Sequence, residues 1–75
     1  MRKSEAKDID RRLQDVLAEC RNERGLTQVQ LAKKLGKPQS FISKYETGER
    51  KLTVGDFVAV CQALGADPGI LLKKL

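Results

Sequence analysis

Residues 27–47 read TQVQLAKKLGKPQSFISKYET, and the fold turns on this stretch. Thr27 carries a hydroxyl that can accept from a free amide at a helix start, and Gln30, three places on, completes a capping box. Leu31, Ala32 and Leu35 then supply the inward face of a short helix that Gly36 breaks. Gly36-Lys37-Pro38 makes the turn into the next helix. Pro38 is read as its first helical residue, where the missing N–H loses no hydrogen bond and the fixed φ suits the helix. Ile42 and Tyr45 share one face, and Gly48 ends it. Two short helices held at a steep angle need a small residue where they approach, a turn residue tolerant of positive φ, and apolar residues facing inward on both sides. Ala32 and Gly36 fill the first two roles, and Leu31, Leu35, Ile42 and Tyr45 the third. The spacing A-x-x-x-G-x-x-x-x-x-I therefore suits a helix-turn-helix between Thr27 and Thr47. Taken alone, it also suits unrelated helical hairpins.

On the N-terminal side, Ile9, Leu13, Val16, Leu17 and Cys20 recur at i, i+4, i+7, i+8 and i+11. That is the stripe of one amphipathic helix, and Gly25 is placed to end it. Residues 1–7 lack the stripe and are expected to be a disordered tail, leaving 8–75 as the domain. On the C-terminal side, Glu49-Arg50-Lys51 is a charged loop, and Thr53 with Asp56 repeats the capping logic. Val54, Phe57, Val58, Cys61 and Leu64 follow at helical spacing until Gly65. Asp67-Pro68 starts a last helix with Ile70, Leu71, Leu72 and Leu75 as its apolar residues. Gly69 weakens that helix by roughly 1 kcal/mol relative to alanine. The expectation is an all-α, compact five-helix bundle whose second and third helices form the helix-turn-helix.

Composition narrows the function. A chain of 75 residues holds one domain. Histidine is absent, which removes the commonest metal ligand and the commonest acid–base catalyst. Two cysteines cannot supply a disulfide framework, and Cys20 and Cys61 both fall on apolar stripes, where free cysteine is normally core. Ser4-Glu5-Ala6-Lys7 matches S-x-x-K formally but lacks companion motifs. No phosphate-binding glycine loop occurs. An enzyme, a metal or cofactor site, and a small-molecule ligand are therefore not expected. No apolar run is long enough to span a bilayer, and MRKSEAKD lacks the apolar core of a signal peptide, so a cytoplasmic protein without membrane contact is expected. The net charge is +5, and its placement says more than its total. Residues 27–51 carry six basic and two acidic groups, which accounts for four of the five excess charges. A solvated charged face can look the same, but such a local excess suits a polyanion.

The second helix of a helix-turn-helix presents its N-terminal part and outer face to the major groove. Here those positions are Gln39, Ser40, Ser43 and Lys44. Glutamine can make a bidentate contact to adenine, serine can serve any base, and lysine can reach guanine or phosphate. Gln39 and Ser40 are also simply good helix-start residues.

The run GLTQVQLAKKLGKPQSFISKYETGERKLTVGDFVAVCQALG resembles the phage-repressor and Cro-type (Xre-like) helix-turn-helix family. The likeness spans about residues 9–72 and includes five elements: Gly25-Leu26-Thr27-Gln28, Leu31-Ala32, Leu35-Gly36, Gln39-Ser40 with Ile42-Ser43, and Tyr45-Glu46 with Gly48. It implies a lambda-repressor-like fold and double-stranded DNA as the partner. It implies that Gln28 donates to a phosphate and braces Gln39, that Gln39 meets a base edge, and that Ser40, Ser43 and Lys44 read or steady the following bases. Arg50 and Lys51 would grip the backbone, with Lys37 in the turn as a further DNA contact. Arg21 and Glu46 would form a partly buried ion pair tying the first helix to the third, whose loss costs stability rather than specificity. Ile70 would be left outside the bundle to meet a two-fold mate in a homodimer. Lys37-Pro38 departs from the family pattern, which commonly has a small residue and a serine or threonine cap, so the third helix can start a residue away. Phe41, where threonine or tyrosine is common, is expected to pack on the rim, with contact to a thymine methyl as the alternative. The implied function is a transcriptional regulator, most simply a repressor that occludes a promoter at a pseudo-palindromic site. The competing reading is an antitoxin-like or adaptor module using the same fold to hold a protein.

Overall fold

The computed structural model describes residues 3–75 and contains, among them, five helices and no strand: α1 (Lys3–Glu23), α2 (Gln28–Leu35), α3 (Gln39–Thr47), α4 (Val54–Leu64) and α5 (Pro68–Leu72). Local chemistry sets the helix starts. Thr27 Oγ1 accepts from Gln30 N at 3.0 Å while Gln30 Oε1 accepts from Thr27 N at 2.9 Å. Thr53 and Asp56 make the same reciprocal pair at the head of α4, and Asp67 Oδ1 accepts from the amides of Gly69 and Ile70 at the head of α5. Each satisfied amide removes an orphan donor that a bare helix end would leave to water.

Two features of the helix starts differ from the sequence expectation. Pro38 is the N-cap of α3 and not its first helical residue: it sits at φ −71°, ψ 157°, and the helix begins at Gln39. The ring fixes φ at a value that extended and helical backbone share, so ψ decides, and a proline side chain offers no acceptor for the first amides. Residues 3–7, expected to be disordered, extend α1 back to Lys3. Glu5, Ala6 and Lys7 are good helix formers with an acid near the N-terminus, and no breaker separates them from the stripe. Residues 1 and 2 of the expected tail lie outside the described residues.

The turn that makes the helix-turn-helix is closed by Gly36 at φ +67°, with Lys37 N donating to Ala32 O at 3.0 Å. An L side chain at that φ would be strained, which is why the turn carries glycine. Beneath it lies one core. Leu17 and Cys20 come from α1, Leu31 and Ala32 from α2, Phe41, Ile42 and Tyr45 from α3, Phe57, Val60, Cys61 and Leu64 from α4, and Leu71 from α5. In α4 the buried set is 57, 60, 61 and 64, so Val60 is core although the sequence stripe passed over it, and Val54 is 81% exposed. Val54 belongs to the first turn, directly after an exposed loop, where no neighbouring element covers it. In α5 only Leu71 is buried, while Ile70 and Leu72 face solvent.

Both cysteines are free and buried. Burial pushes the Cys61 thiol up from 9.0 to about 11, with smaller contributions from Cys20 and Asp67. A folded pKa above the unfolded one means that the native state holds the proton more tightly. The stability contributed is fully present below pH 9 and is lost as pH rises towards 11. The urea midpoint is expected to fall between pH 9 and 10, and Cys61→Ala should flatten that fall even while lowering the baseline. An unchanged slope in the variant would refute the assignment. Tyr45, also raised by burial and by Glu46, adds to the loss only above its ordinary value of 10.0.

Candidate nucleic-acid interface

Ile42 and Tyr45 are wholly buried and fix the rotation of α3 about its own axis. At about 100° per residue, that rotation turns Gln39, Ser40 and Lys44 to solvent. Ser43 is half-buried, its hydroxyl donating to Ser40 O at 3.3 Å. The lone pairs of the Ser43 oxygen stay available as acceptors.

Gln39 is held from behind by a chain of hydrogen bonds. Arg21 Nε donates to Glu46 Oε2 at 2.8 Å, Arg21 Nη2 to Glu46 Oε1 at 3.1 Å, and Arg21 Nη1 to Leu26 O at 2.7 Å. The two side chains are only 12% and 10% exposed, and donating to the Glu46 carboxylate raises the Arg21 pKa further. Gln28 Nε2 donates to Glu46 Oε1 at 3.0 Å, and Gln39 Nε2 donates to Gln28 Oε1 at 3.2 Å. The order of donors and acceptors has one consistent solution. A carboxylate only accepts, so the Gln28 amide group must turn its nitrogen to Glu46 and its oxygen to Gln39. Gln39 therefore keeps its Oε1 and one N–H unused, and Gln28 keeps one N–H.

Cations surround this row from two loops. Lys37, Pro38, Ser40, Phe41, Lys44 and Arg50 line one shallow depression. The Arg50 guanidinium lies 4.8 Å and the Lys37 ammonium 5.6 Å from the centroid of the Phe41 ring, and Arg50 Nη2 is 3.7 Å from Asp56 Oδ2. The Asp56 carboxyl is held below the usual range, first by the Thr53 backbone N–H it accepts from, and further by the Thr53 hydroxyl, Arg50 and Lys37. Phe41 is buried against Tyr45, as its expected packing requires. Lys51 lies apart from the depression. Its Nζ is 3.9 Å from Asp10 Oδ2, in a separate cleft lined also by Lys7, Arg11, Gln14, Thr47 and Gly48. Both loop cations are themselves exposed, with half-buried acidic partners at 3.7 and 3.9 Å that they can exchange for a phosphate, an exchange that costs little because pairs with a solvated member are weak. Ile70, on α5, lines neither hollow.

Sequence reasoning missed Asp10 and Asp56 as partners of the loop cations, the approach of Lys7 and Arg11 to Lys51, and the ring beneath Arg50. Each joins residues on different elements, and no local pattern reports such a pair. Among the described residues no helix is long and apolar enough to cross a membrane.

The Helix-turn-helix family model HTH_3 matches residues 17–71. No curated protein sequence matches the chain significantly. Among solved structures, an XRE-family like protein from Pseudomonas syringae pv. tomato str. DC3000 is 44% identical, with 96% of this chain and 88% of that one covered and a TM-score of 0.92. The clp gene regulator ClgR from C. glutamicum is 26% identical over 88% of this chain and 86% of its own, with a TM-score of 0.82. The restriction-modification controller protein C.Esp1396I, 24% identical over 88% of this chain and 85% of its own, has a TM-score of 0.83 and shares the fold. With the family model covering most of the chain and the five helices in the same arrangement, the chain belongs to the XRE-type helix-turn-helix family of DNA-binding regulators.

Proposed function

We propose that this protein is a sequence-specific transcriptional repressor that binds a pseudo-palindromic operator as a homodimer, α3 lying in the major groove. The observation that carries the reading is the polarity of the Glu46–Gln28–Gln39 chain. It leaves an exposed amide at the head of α3 with one acceptor and one donor free, the pair that an adenine N6/N7 edge requires. Gln28 keeps an N–H for a phosphate, Ser40, Ser43 and Lys44 follow along the groove, and Lys37, Arg50 and Lys51 hold the backbone on either side. The similarity to the clp gene regulator supports a role in transcription. Occluding a promoter requires only the binding surface, and a DNA partner supports the proposed cytoplasmic location. Ile70, 58% exposed on α5 beside exposed Leu72, is the proposed centre of the two-fold contact. Half-site centres would then lie about one helical turn, roughly 10 bp, apart.

Selection from random duplexes followed by a salt titration tests this reading. Lys37, Arg50 and Lys51 together predict a log–log slope of about −2.7 per protomer, at about −0.9 for each neutralised phosphate. Gln39→Ala should relax the preference at one base pair of each half-site by about 1–3 kcal/mol, whereas Arg50→Ala should weaken all sequences alike. Affinity indifferent to salt, or no sequence enriched, would refute the regulator. Equal loss on every sequence for Gln39→Ala would show that α3 is not the reading helix. Sedimentation of the wild type against Ile70→Asp tests the dimer, which should dissociate in the variant.

A further inference from the structure

Phe41 stands in the middle of the proposed interface yet is 7% exposed, so it offers little ring to a base. Its surroundings suggest another use. The ring meets Tyr45 edge to face at a centroid separation of 5.8 Å and an interplanar angle of 73°. Because Tyr45 is itself wholly buried, the core sets the attitude of the Phe41 ring. Near that ring lie two cations from different segments, Lys37 from the turn before α3 and Arg50 from the loop after it. The loop is anchored by Arg50 N donating to Lys44 O at 3.1 Å, and Asp56 touches one edge of the guanidinium.

We propose that Phe41 is a positioning residue for phosphate contact, its ring holding Arg50 and Lys37 together over the depression lined by Ser40 and Lys44. This rests on the DNA-binding reading above and adds to it a residue that acts without touching DNA. A long cationic side chain loses rotamer freedom when it grips a phosphate, and one already held against a ring loses less on binding. The attraction is between the cation and the negative face of the ring, which an aliphatic side chain of similar bulk lacks. Arginine suits the task better than lysine, because a planar guanidinium can rest on the ring while its edge nitrogens point at an oxyanion.

The test is a thermodynamic cycle on the full chain, read as affinity for a random and a selected duplex, with a urea midpoint for each variant. Phe41→Leu should weaken both duplexes alike by roughly 3- to 10-fold, and Phe41→Tyr should restore binding. In a Lys37→Ala/Arg50→Ala background the same Phe41→Leu change should alter affinity by less than about two-fold. Arg50→Lys, which leaves the core untouched, should lose binding at unchanged stability. In the free protein the Arg50 side-chain protons should show upfield ring-current shifts that vanish in Phe41→Leu. An equal loss in both backgrounds, or Arg50 protons at ordinary positions in the wild type, would overturn the positioning role while leaving the regulator intact. A wild-type chain that binds neither duplex overturns the regulator and the positioning role together.

Discussion

Arg21→Ala is expected to cost about 3 kcal/mol of folding stability and to blur base preference at the pair read by Gln39. The stability part follows from burial. Arg21 and Glu46 are nearly out of solvent and joined by two hydrogen bonds, so removing the guanidinium leaves a carboxylate with Gln28 as its remaining side-chain partner. It also frees Leu26 O of its charge-assisted donor. For a domain of this size, with a total of roughly 4–11 kcal/mol, that is a large share. At about 1 kcal/mol per molar, the urea midpoint should fall by about 3 M.

The specificity part follows from the shared carboxylate. From the sequence, breaking this pair was expected to affect stability alone. Because Gln28 donates to the same Glu46 oxygen that Arg21 Nη2 uses, the ion pair and the base-reading amide belong to one network. The double variant Arg21→Met/Glu46→Leu should separate the two effects. An apolar pair of similar bulk is often neutral for stability, so the midpoint should recover, whereas Gln28 loses its anchor and the preference at the Gln39 position should stay relaxed. A loss below about 1 kcal/mol for Arg21→Ala would show a surface-type pair, and full specificity in the double variant would show that Gln28 needs no anchor.

Ile42→Ala is expected to cost as much, about 2–5 kcal/mol, against about 0.5–1.5 kcal/mol for Ile42→Val. Ile42 is wholly buried and sits midway along α3, packed in the cluster that Leu17, Leu31 and Tyr45 share. Truncation to alanine leaves a void in an interior with few alternative ways to collapse, because α2 and α3 are short, α2 is held by its capping box at Thr27 and by Gly36, and α3 is closed at Gly48. DNA affinity should fall with the folded fraction and recover when a stabilising osmolyte restores folding, since no reading residue is altered. Chemical denaturation and binding measured on the same samples would check this. A cost under about 1 kcal/mol would mean that another side chain fills the void, and the rotation of α3 would then rest on Tyr45 alone.

Much of this protein was legible in one dimension. Capping boxes at Thr27 and Thr53, the cap at Asp67 and the glycines that end the helices are decided by residues within about four positions of one another. Helix order and most bounds, the starts of α1 and α3 excepted, therefore follow from local hydrogen bonding and backbone sterics, which the sequence states directly. So does the outward set Gln39, Ser40 and Lys44, because Ile42 and Tyr45 on the same short helix leave only one face for the core. What the tertiary structure alone decided are pairings across the chain. Local periodicity could not select Val60 over Val54, since the choice depends on where α4 is covered. The ψ of Pro38 was open until the turn was built. Gln28 with Glu46, Lys51 with Asp10, and Arg50 with Phe41 and Asp56 meet only once the helices are docked. The helix-turn-helix is thus a property of the sequence from Thr27 to Thr47, while the direction in which its reading amide points is a property of the packed bundle. The reason is physical: helix ends are settled by bonds a few residues long, but the donor–acceptor order at Gln39 is set by a carboxylate whose charge is held in place by Arg21, 25 residues away on α1.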